Sequence, residues 1–237
     1  EDRFTRMNIG AVILCRYDSS RLFGKALREI NHKPILEWIT LFIKQSPAIE
    51  DICVATSIES SDDLIADFCD AMSIKCFRGS KDDVALRFLQ CSQQNHYDYA
   101  FRVNGDNLFV EPTILTLMAN LVTEEKYDFV SNVGHRSFPY GMSAELLNVE
   151  FYSRAYKSFN EDMHHEHVTL YLYENSGMGK RMDVDNTEWK HLPGVQLAID
   201  TIEDVRRAEK VFERVNGDYR QINYALLNEM ARVGDLS

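Results

Sequence analysis

The sequence predicts an α/β fold in which a mainly parallel sheet is covered by helices on both faces. Short apolar runs suited to buried strands alternate with longer amphipathic stretches suited to helices. This alternation is typical of parallel sheets, whose strands are joined by crossover helices. The chain has 237 residues, of which 45% are hydrophobic, and is therefore large enough to bury a core as one globular domain.

Strands and helices alternate regularly in the first part of the chain. Strands are expected over residues 8–14, 51–55, 74–77, 99–103 and 129–131, and helices over residues 34–45, 61–72, 81–94 and 112–124. Pro34 and Pro112 suit a first helical position because that position needs no N–H donor. The side chains suited to N-caps are those of Ser60, Ser61 and Ser80.

The pattern changes after about residue 132. Residues 132–150 are rich in glycine and serine and are expected to add one or two strands. Two helices (151–159 and 164–174), a polar loop (175–190), a last core strand (195–199) and two final helices (202–214 and 219–233) follow. We therefore predict a single domain in which residues 132–190 form a small inserted β/α lobe. Residues 1–6, before Met7, are interpreted as a tag or the end of a preceding segment.

The charge of the chain limits the partners that it can bind. A net charge of −11 argues against a broad surface for nucleic acid, which needs a basic footprint. Residues 1–35 run against this trend, with seven basic and four acidic side chains. No run reaches the roughly 18 apolar residues of a membrane span, and the five cysteines show no CxxC spacing. We expect a cytoplasmic protein with reduced thiols and no nucleic-acid or membrane partner.

The segment that follows the first predicted strand is the most informative one. It lies at the carboxyl end of a strand, where ligands of such folds bind. Its polar and glycine residues are Arg16, Ser19, Ser20, Arg21, Gly24 and Lys25. Guanidinium and ammonium groups neutralise phosphates, while hydroxyl groups add hydrogen bonds. The spacing fits neither a Walker A loop nor Gly-x-Gly-x-x-Gly. A polyphosphate-binding loop and a solvated basic loop are equally favoured by these residues.

Two aspartates are expected at the same edge of the sheet. Asp106 follows the strand at residues 99–103, and Asp200 closes the last core strand. Two carboxylates beside a polyphosphate can share a divalent ion. The alternative interpretation makes Asp106 part of a turn and Asp200 the N-cap of the helix that begins at Ile202.

Two further segments have weaker signals. His164, His165, Glu166 and His167 lack the His-x-x-x-His spacing of a zinc helix, so packing or surface roles are favoured over a metal site. Glu166 or His167 can still contact a substrate from this position. Residues 78–80 lie between a strand and a helix and are either a plain turn or an anion- or base-contacting turn.

Taken together, these segments resemble the cytidylyltransferase family that includes CMP-sialic acid and CMP-Kdo synthetases, most closely its spore-coat-polysaccharide-type branch. The family loop Ala-Arg-x-x-Ser-Thr-Arg-Leu-Pro-Gly-Lys corresponds to residues 15–25, and the match continues at residues 33–37. Further matches follow in order at residues 54–57, 77–84, 102–106, 138–141, 166–175 and 198–204. The ordered set is specific, although each match alone is weak.

The resemblance implies a Rossmann-like, nucleotide-diphospho-sugar transferase-like fold. It implies transfer of CMP from CTP to a sugar or sugar acid, with release of pyrophosphate, for surface polysaccharide synthesis. The implied nucleotide-binding residues are Cys15, Arg16, Ser19, Ser20, Arg21, Lys25, Arg78, Gly79, Ser80, Asn104 and Gly105. The implied catalytic residues are Arg16, Lys25, Asp106 and Asp200, of which the two aspartates would bind Mg²⁺ or Mn²⁺. Gly141, Glu145, Glu166 and His167 would contact the acceptor, and the lobe would form a homodimer.

The chain departs from the family pattern mainly on the acceptor side. Cys15, Ser20 and Phe23 replace Ala, Thr and Pro in the loop and leave its charges intact. Residues 141–145 read Gly-Met-Ser-Ala-Glu where the branch carries Gly-Leu-Asp-x-Glu. The nucleotide half is therefore better supported than the acceptor half. Two alternatives stay open: a nucleotidyltransferase with another nucleotide or a phosphorylated acceptor, and a non-catalytic nucleotide-sensing domain.

Overall fold

A seven-stranded sheet forms the centre of the protein in a computed structural model, which describes residues 7–18 and 22–236. In chain order the strands are β1 (Ile9–Leu14), β2 (Glu29–Ile30), β3 (Lys33–Pro34), β4 (Asp51–Ser57), β5 (Lys75–Gly79), β6 (Tyr99–Asn104), β7 (Phe129–Ser131), β8 (Glu145–Asn148) and β9 (Arg181–Asp183). The main sheet has the order β5-β4-β1-β6-β8-β7-β9. Only β8 runs antiparallel to its neighbours in it, while β2 and β3 form a separate antiparallel ribbon. This topology confirms the predicted fold class.

Helices cover the sheet on both faces. They are α1 (Ile35–Ile43), α2 (Asp63–Ala71), α3 (Val84–Gln94), α4 (Pro112–Glu125), α5 (Val149–Tyr156), α6 (Asp162–Glu166), α7 (Leu170–Glu174), α8 (Ile202–Arg214) and α9 (Tyr224–Arg232). Short 3-10 turns lie at Lys25–Leu27, Ser60–Asp62 and Tyr219–Gln221. None of the helices in the described part of the chain is both long and apolar enough to cross a bilayer.

The central strand β1 shows why its sequence is apolar throughout. Ala11 and Ile13 point to one face and pack in a cluster that includes residues of α1, α4 and α8. Val12 and Leu14 point to the other face and pack in a cluster that includes residues of α3 and α5. Because both faces are covered, alternation of polar and apolar residues disappears, and the strand reads as a continuous apolar run.

The serine caps that we predict from the sequence are wrong, because aspartate residues occupy the N-cap positions of α2 and α3. Asp62 precedes α2, and Asp83 caps α3 by accepting a hydrogen bond of 2.7 Å from the Leu86 N–H. Asp200 does not cap α8 either. Thr201 is the N-cap there, and Asp204 completes a reciprocal capping box. At α3 the ionised carboxylate of Asp83 is a stronger acceptor for helix N–H groups than a serine hydroxyl, which favours Asp83 over Ser80 as the cap.

Three other expectations for the second half of the chain need correction. Residues 195–199 form no strand and contact Tyr140 only through an isolated bridge to Gln196. The predicted loop at 175–190 contains β9, a polar edge strand without the apolar pattern of a core strand. The predicted helix at 164–174 is two short helices, α6 and α7.

The segment 132–190, predicted as an inserted lobe, contributes β8 and β9 to the main sheet. Its helix α6 contacts α3 through the cap residue Asp83, whose Oδ2 accepts a hydrogen bond of 2.6 Å from the Tyr156 hydroxyl and lies 2.7 Å from His165 Nδ1. The role of the segment in homodimerisation stays a prediction. Residues 1–6, interpreted above as a tag or linker, lie outside the described residues.

Candidate active site

Lys25 joins the two predicted metal-binding aspartates at the carboxyl edge of the sheet. Its Nζ lies 3.1 Å from Asp106 Oδ2 and 3.0 Å from Asp200 Oδ1. The Ile199 N–H donates to the Asp106 carbonyl at 3.1 Å, which holds residues 195–200 against the end of β6. Residues that are far apart in sequence therefore form one compact charged cluster, which we call the Lys25 cluster (Lys25, Asp106 and Asp200).

A cavity of about 630 Å³ opens beside the Lys25 cluster. Its size suits a small-molecule ligand. Among the residues predicted to bind nucleotide, those that line it are Cys15, Arg16, Lys25, Asn104 and Gly105. Further lining residues come from α3 and from residues 166–169, which begin at the last residue of α6. Glu166 and His167, predicted on the acceptor side, thus face the same cavity.

The loop after β1 is held in place by a buried carboxylate. Asp62 Oδ1 accepts a hydrogen bond of 2.7 Å from the Tyr17 N–H, and Oδ2 accepts from Ser57. Burial alone would raise the pKa of Asp62, but the hydrogen bonds from Ser57 and Tyr17 outweigh it and lower the pKa. Burial raises the pKa of the Cys15 thiol to about 12, so this thiol adds no negative charge to the cavity at physiological pH. Arg16 and Lys25 bring positive charge to the lining of the cavity.

Gly105 allows β6 and the loop after β1 to approach closely. Its N–H donates to the Leu14 carbonyl at 2.8 Å, and an added Cβ would overlap the Cβ of Cys15. We expect Gly105→Ala to lower the free energy of unfolding by about 1–3 kcal/mol, because overpacking forces the two segments apart. Chemical denaturation measures the loss. Gly177→Ala is the matched control, since a Cβ added at Gly177 would have nothing within 4 Å; equal effects in the two variants would contradict the expectation.

Arg102 is a cavity residue that our sequence reasoning missed as a site residue. It lies on β6 opposite Glu145 of β8, forms an ion pair with that carboxylate, and donates to Asn104 Oδ1 at 2.7 Å. Tyr173 donates a second bond to Glu145 at 2.6 Å. Burial alone would lower the pKa of Arg102, but the Glu145 carboxylate more than offsets this and raises it. A single cation inside the apolar strand pattern is the signal that could have identified Arg102.

The remaining predicted residues lie elsewhere. Glu145 is only 1% exposed, and its carboxylate is bound by Arg102 and Tyr173. Its contact with the acceptor substrate stays a prediction. Of the described residues, Arg78, Gly79, Ser80 and Gly141 are absent from the lining of the cavity. The Arg78 guanidinium donates to the Ser57 and Glu59 carbonyls and pairs with Asp63 at 2.7 Å. Ser19, Ser20 and Arg21 lie outside the described residues.

A second groove adjoins the first cavity at Arg16, Val84 and Glu166. Its volume is about 660 Å³, and its other lining residues are Lys81, Asp82, Asp83, Asp162 and His165. The two spaces together exceed the roughly 1,000 Å³ at the upper end of single-ligand pockets, so a second molecule can lie beside the first.

Comparison with known sequences identifies the family to which this site belongs. The sequence model of the family described as "Cytidylyltransferase" matches residues 11–231. The chain belongs to the cytidylyltransferase family. This cytidylyltransferase is therefore a CTP-dependent nucleotidyltransferase, and the family expectation from the sequence is confirmed.

Three similar proteins cover nearly the whole of this cytidylyltransferase. The uncharacterized protein MJ1063 of Methanocaldococcus jannaschii is 32% identical over 219 residues, which is 91% of this chain and 89% of that protein. The spore coat polysaccharide biosynthesis protein SpsF of Bacillus subtilis is 27% identical and covers 86% of this chain and 85% of its own. A solved cytidylyltransferase from Leptospira borgpetersenii serovar Hardjo-bovis superposes with a TM-score of 0.89 at 25% identity, covering 97% of this chain and 96% of that chain.

Proposed function

We propose that this cytidylyltransferase transfers CMP from CTP to an oxygen of a sugar or sugar acid of the nonulosonic or ulosonic type, for a surface polysaccharide. The observation that carries the proposal is the Lys25 cluster at the edge of a nucleotide-sized cavity. The similarity to a spore coat polysaccharide biosynthesis protein supports the polysaccharide part. In the reaction the acceptor oxygen forms a bond to the α-phosphorus, and the bond from that phosphorus to the β-phosphate oxygen breaks, releasing pyrophosphate.

The two aspartates fit a magnesium ion. Both carboxylates contact the same cation, the Lys25 ammonium, so both can face one positive charge. Mg²⁺ prefers oxygen ligands, and in proteins it is usually bound by only one or two carboxylates. Phosphate oxygens of a bound nucleotide would supply further ligands beside the two carboxylates. When bound, the ion would neutralise charge that develops on the phosphates.

The chain's own residues supply binding and charge in this proposal. Arg16 and Lys25 neutralise phosphate oxygens, and Asn104 and Gly105 close the floor of the cavity at the end of β6. Holding the reactants in line is the main contribution that such a reaction needs from a protein. Glu166 lines both spaces and His167 lines the first cavity, and both would contact the acceptor.

Pyrophosphate release tests the proposed reaction directly. The protein is incubated with CTP, Mg²⁺ and a panel of nonulosonic acids, ulosonic acids, neutral sugars and sugar phosphates, with ATP, GTP and UTP in parallel reactions. We expect release with CTP and at least one sugar or sugar acid. Release only with another nucleotide or a phosphorylated sugar would support the alternative transferase, and CTP binding without turnover across the panel would support the nucleotide-sensing domain.

Lys25→Ala is expected to weaken CTP binding roughly 10- to 100-fold, because charge-assisted hydrogen bonds of this kind contribute about 1.5–3 kcal/mol. Isothermal titration calorimetry measures the affinity. Lys33→Ala is the matched control, since Lys33 is 42% exposed and pairs with Glu37 outside the cavity. An unchanged CTP affinity in Lys25→Ala would argue against the role of Lys25.

A further inference from the structure

Arg87 is a buried cation in the wall of the cavity that the predicted nucleotide site does not include. It lies on α3, is 2% exposed, and lines the same cavity as Cys15 and Arg16. Arginine is rarely buried to this extent unless its charge is paired.

The hydrogen bonds of Arg87 satisfy only part of its guanidinium group. Nη1 donates to the Ser80 carbonyl at 2.7 Å and to the Lys81 carbonyl at 3.3 Å. Nε is buried and has no hydrogen-bond partner among the described residues. Nη2 also makes no hydrogen bond within that part of the chain. Carbonyl groups are neutral acceptors, so these bonds hold the turn before α3 but leave the positive charge uncompensated.

No carboxylate pairs with Arg87 in the described part of the chain. The charge of Asp62 acts on Arg87 without an ion pair between them, and the Asp62 oxygens accept hydrogen bonds from Tyr17 and Ser57. The Cys15 thiol is neutral, as shown above. Burial lowers the pKa of Arg87 and the Arg16 cation adds to that effect, although an arginine side chain stays protonated in proteins. A buried, unpaired charge is costly, and a second cation beside it adds to the cost.

We infer that Arg87 binds a phosphate group of the nucleotide, and that together with Arg16 it forms a two-arginine anion site at the carboxyl end of β1. The inference rests on the proposed function, because that function places a triphosphate in the cavity. Arg87 differs from Lys25, whose ammonium group already contacts two carboxylates. An anion in the cavity would compensate the charge that the carbonyl contacts leave unpaired.

The competing explanation is purely structural: Arg87 would only hold residues 80–81 against α3. If that role were the whole explanation, replacing Arg87 would lower the stability of the protein, and it would not weaken the binding of phosphate-containing ligands more than the binding of cytidine. Arg181 offers a matched control, because it also donates to a carbonyl, that of Leu172 at 2.9 Å, and does not line the cavity. Arg87→Met removes both the charge and the hydrogen bonds, whereas Arg87→Lys keeps the charge and loses the planar fork.

Calorimetric titration of the full chain with CTP, CMP, cytidine and inorganic pyrophosphate tests the inference. We expect Arg87→Met to weaken CTP and pyrophosphate binding roughly 10- to 100-fold, with a smaller loss in Arg87→Lys. Cytidine affinity and the affinities of Arg181→Met should stay unchanged. Thermal unfolding shows whether each variant folds. If Arg87→Met does not fold, the CTP and pyrophosphate affinities of Arg87→Lys decide whether the inference holds.

The outcomes separate this inference from the proposed function. If Arg87→Met or Arg87→Lys, properly folded, binds CTP and pyrophosphate like the unaltered protein, the inference is wrong. It is also wrong if cytidine affinity falls by the same factor as CTP affinity. If the unaltered protein binds pyrophosphate but not CTP, the proposed function fails, whereas a loss of pyrophosphate binding in the Arg87 variants still supports the anion site.

Discussion

Replacing either Asp106 or Asp200 with asparagine is expected to lower kcat by about 1,000-fold or more, because a bound metal ion supplies several kcal/mol of charge stabilisation in such reactions. Asparagine keeps the size of the side chain and a hydrogen bond to the Lys25 ammonium, but it removes the negative charge that a divalent ion needs. The fold should survive, since both side chains lie at the edge of the sheet and outside its apolar clusters.

Pyrophosphate release at increasing Mg²⁺ concentration measures this effect, with circular dichroism as the check on folding. Asp98→Asn is the matched control. Asp98 precedes β6 at the end opposite to Asp106, and its carboxylate accepts a hydrogen bond of 2.8 Å from the Asn8 N–H. Full turnover in both active-site variants would rule out the proposed metal site.

Replacing Glu145 with glutamine is expected to lower the free energy of unfolding by about 3 kcal/mol, the low end of the range for a broken buried ion pair. Removing the Glu145 charge leaves the Arg102 guanidinium uncompensated, and the loss stays at the low end because Arg102 reaches the cavity. Turnover should fall as well, because Arg102 loses the carboxylate that anchors it and also donates the 2.7 Å hydrogen bond to Asn104 Oδ1 in the cavity. Urea denaturation measures the stability change.

A double variant distinguishes charge imbalance from loss of shape. In Arg102→Met/Glu145→Leu neither charge remains, so we expect stability to recover to within about 1–2 kcal/mol of the unaltered protein, since apolar residues of similar volume often replace a buried pair at little cost. Turnover should stay low, because replacing Arg102 removes its hydrogen bond to Asn104 Oδ1. If the double variant is less stable than Glu145→Gln, the pair contributes through packing and not through charge.

The core strands could be predicted because burial on both faces leaves an unmistakable apolar run. The edge strand β9 could not, since it contains Arg181 and Asp183 and one of its long sides is free of neighbours in the sheet. Residues 195–199 imitate a strand for the opposite reason: Leu197 and Ile199 are buried, and the segment bonds to Tyr140 and to Asp106 after β6 without forming a ladder. Hydrophobic residues in a sequence indicate burial, and a buried loop gives the same hydrophobic signal as a buried strand.

The candidate site was predictable where its residues follow a strand directly. Asp106 fits that rule, and Lys25 lies in the loop that follows β1. Arg102 and Arg87 were missed because their meaning depends on partners that sequence spacing does not show. Arg102 pairs with a carboxylate 43 residues away. Arg87 stands out because it is buried and has no carboxylate partner among the described residues. Both facts require tertiary structure.

The separation in sequence within the Lys25 cluster has a consequence for folding. Lys25 and Asp200 are 175 residues apart, and Lys25 and Asp106 are 81 apart. Contacts over such separations carry a large loop-closure cost and form slowly. A growing chain that has not yet added and docked residues 195–200 lacks one of the two carboxylates, so it cannot present the complete cluster. A ligand that binds only the complete Lys25 cluster stabilises the folded state by mass action. Binding of such a ligand therefore shows that the chain has folded completely.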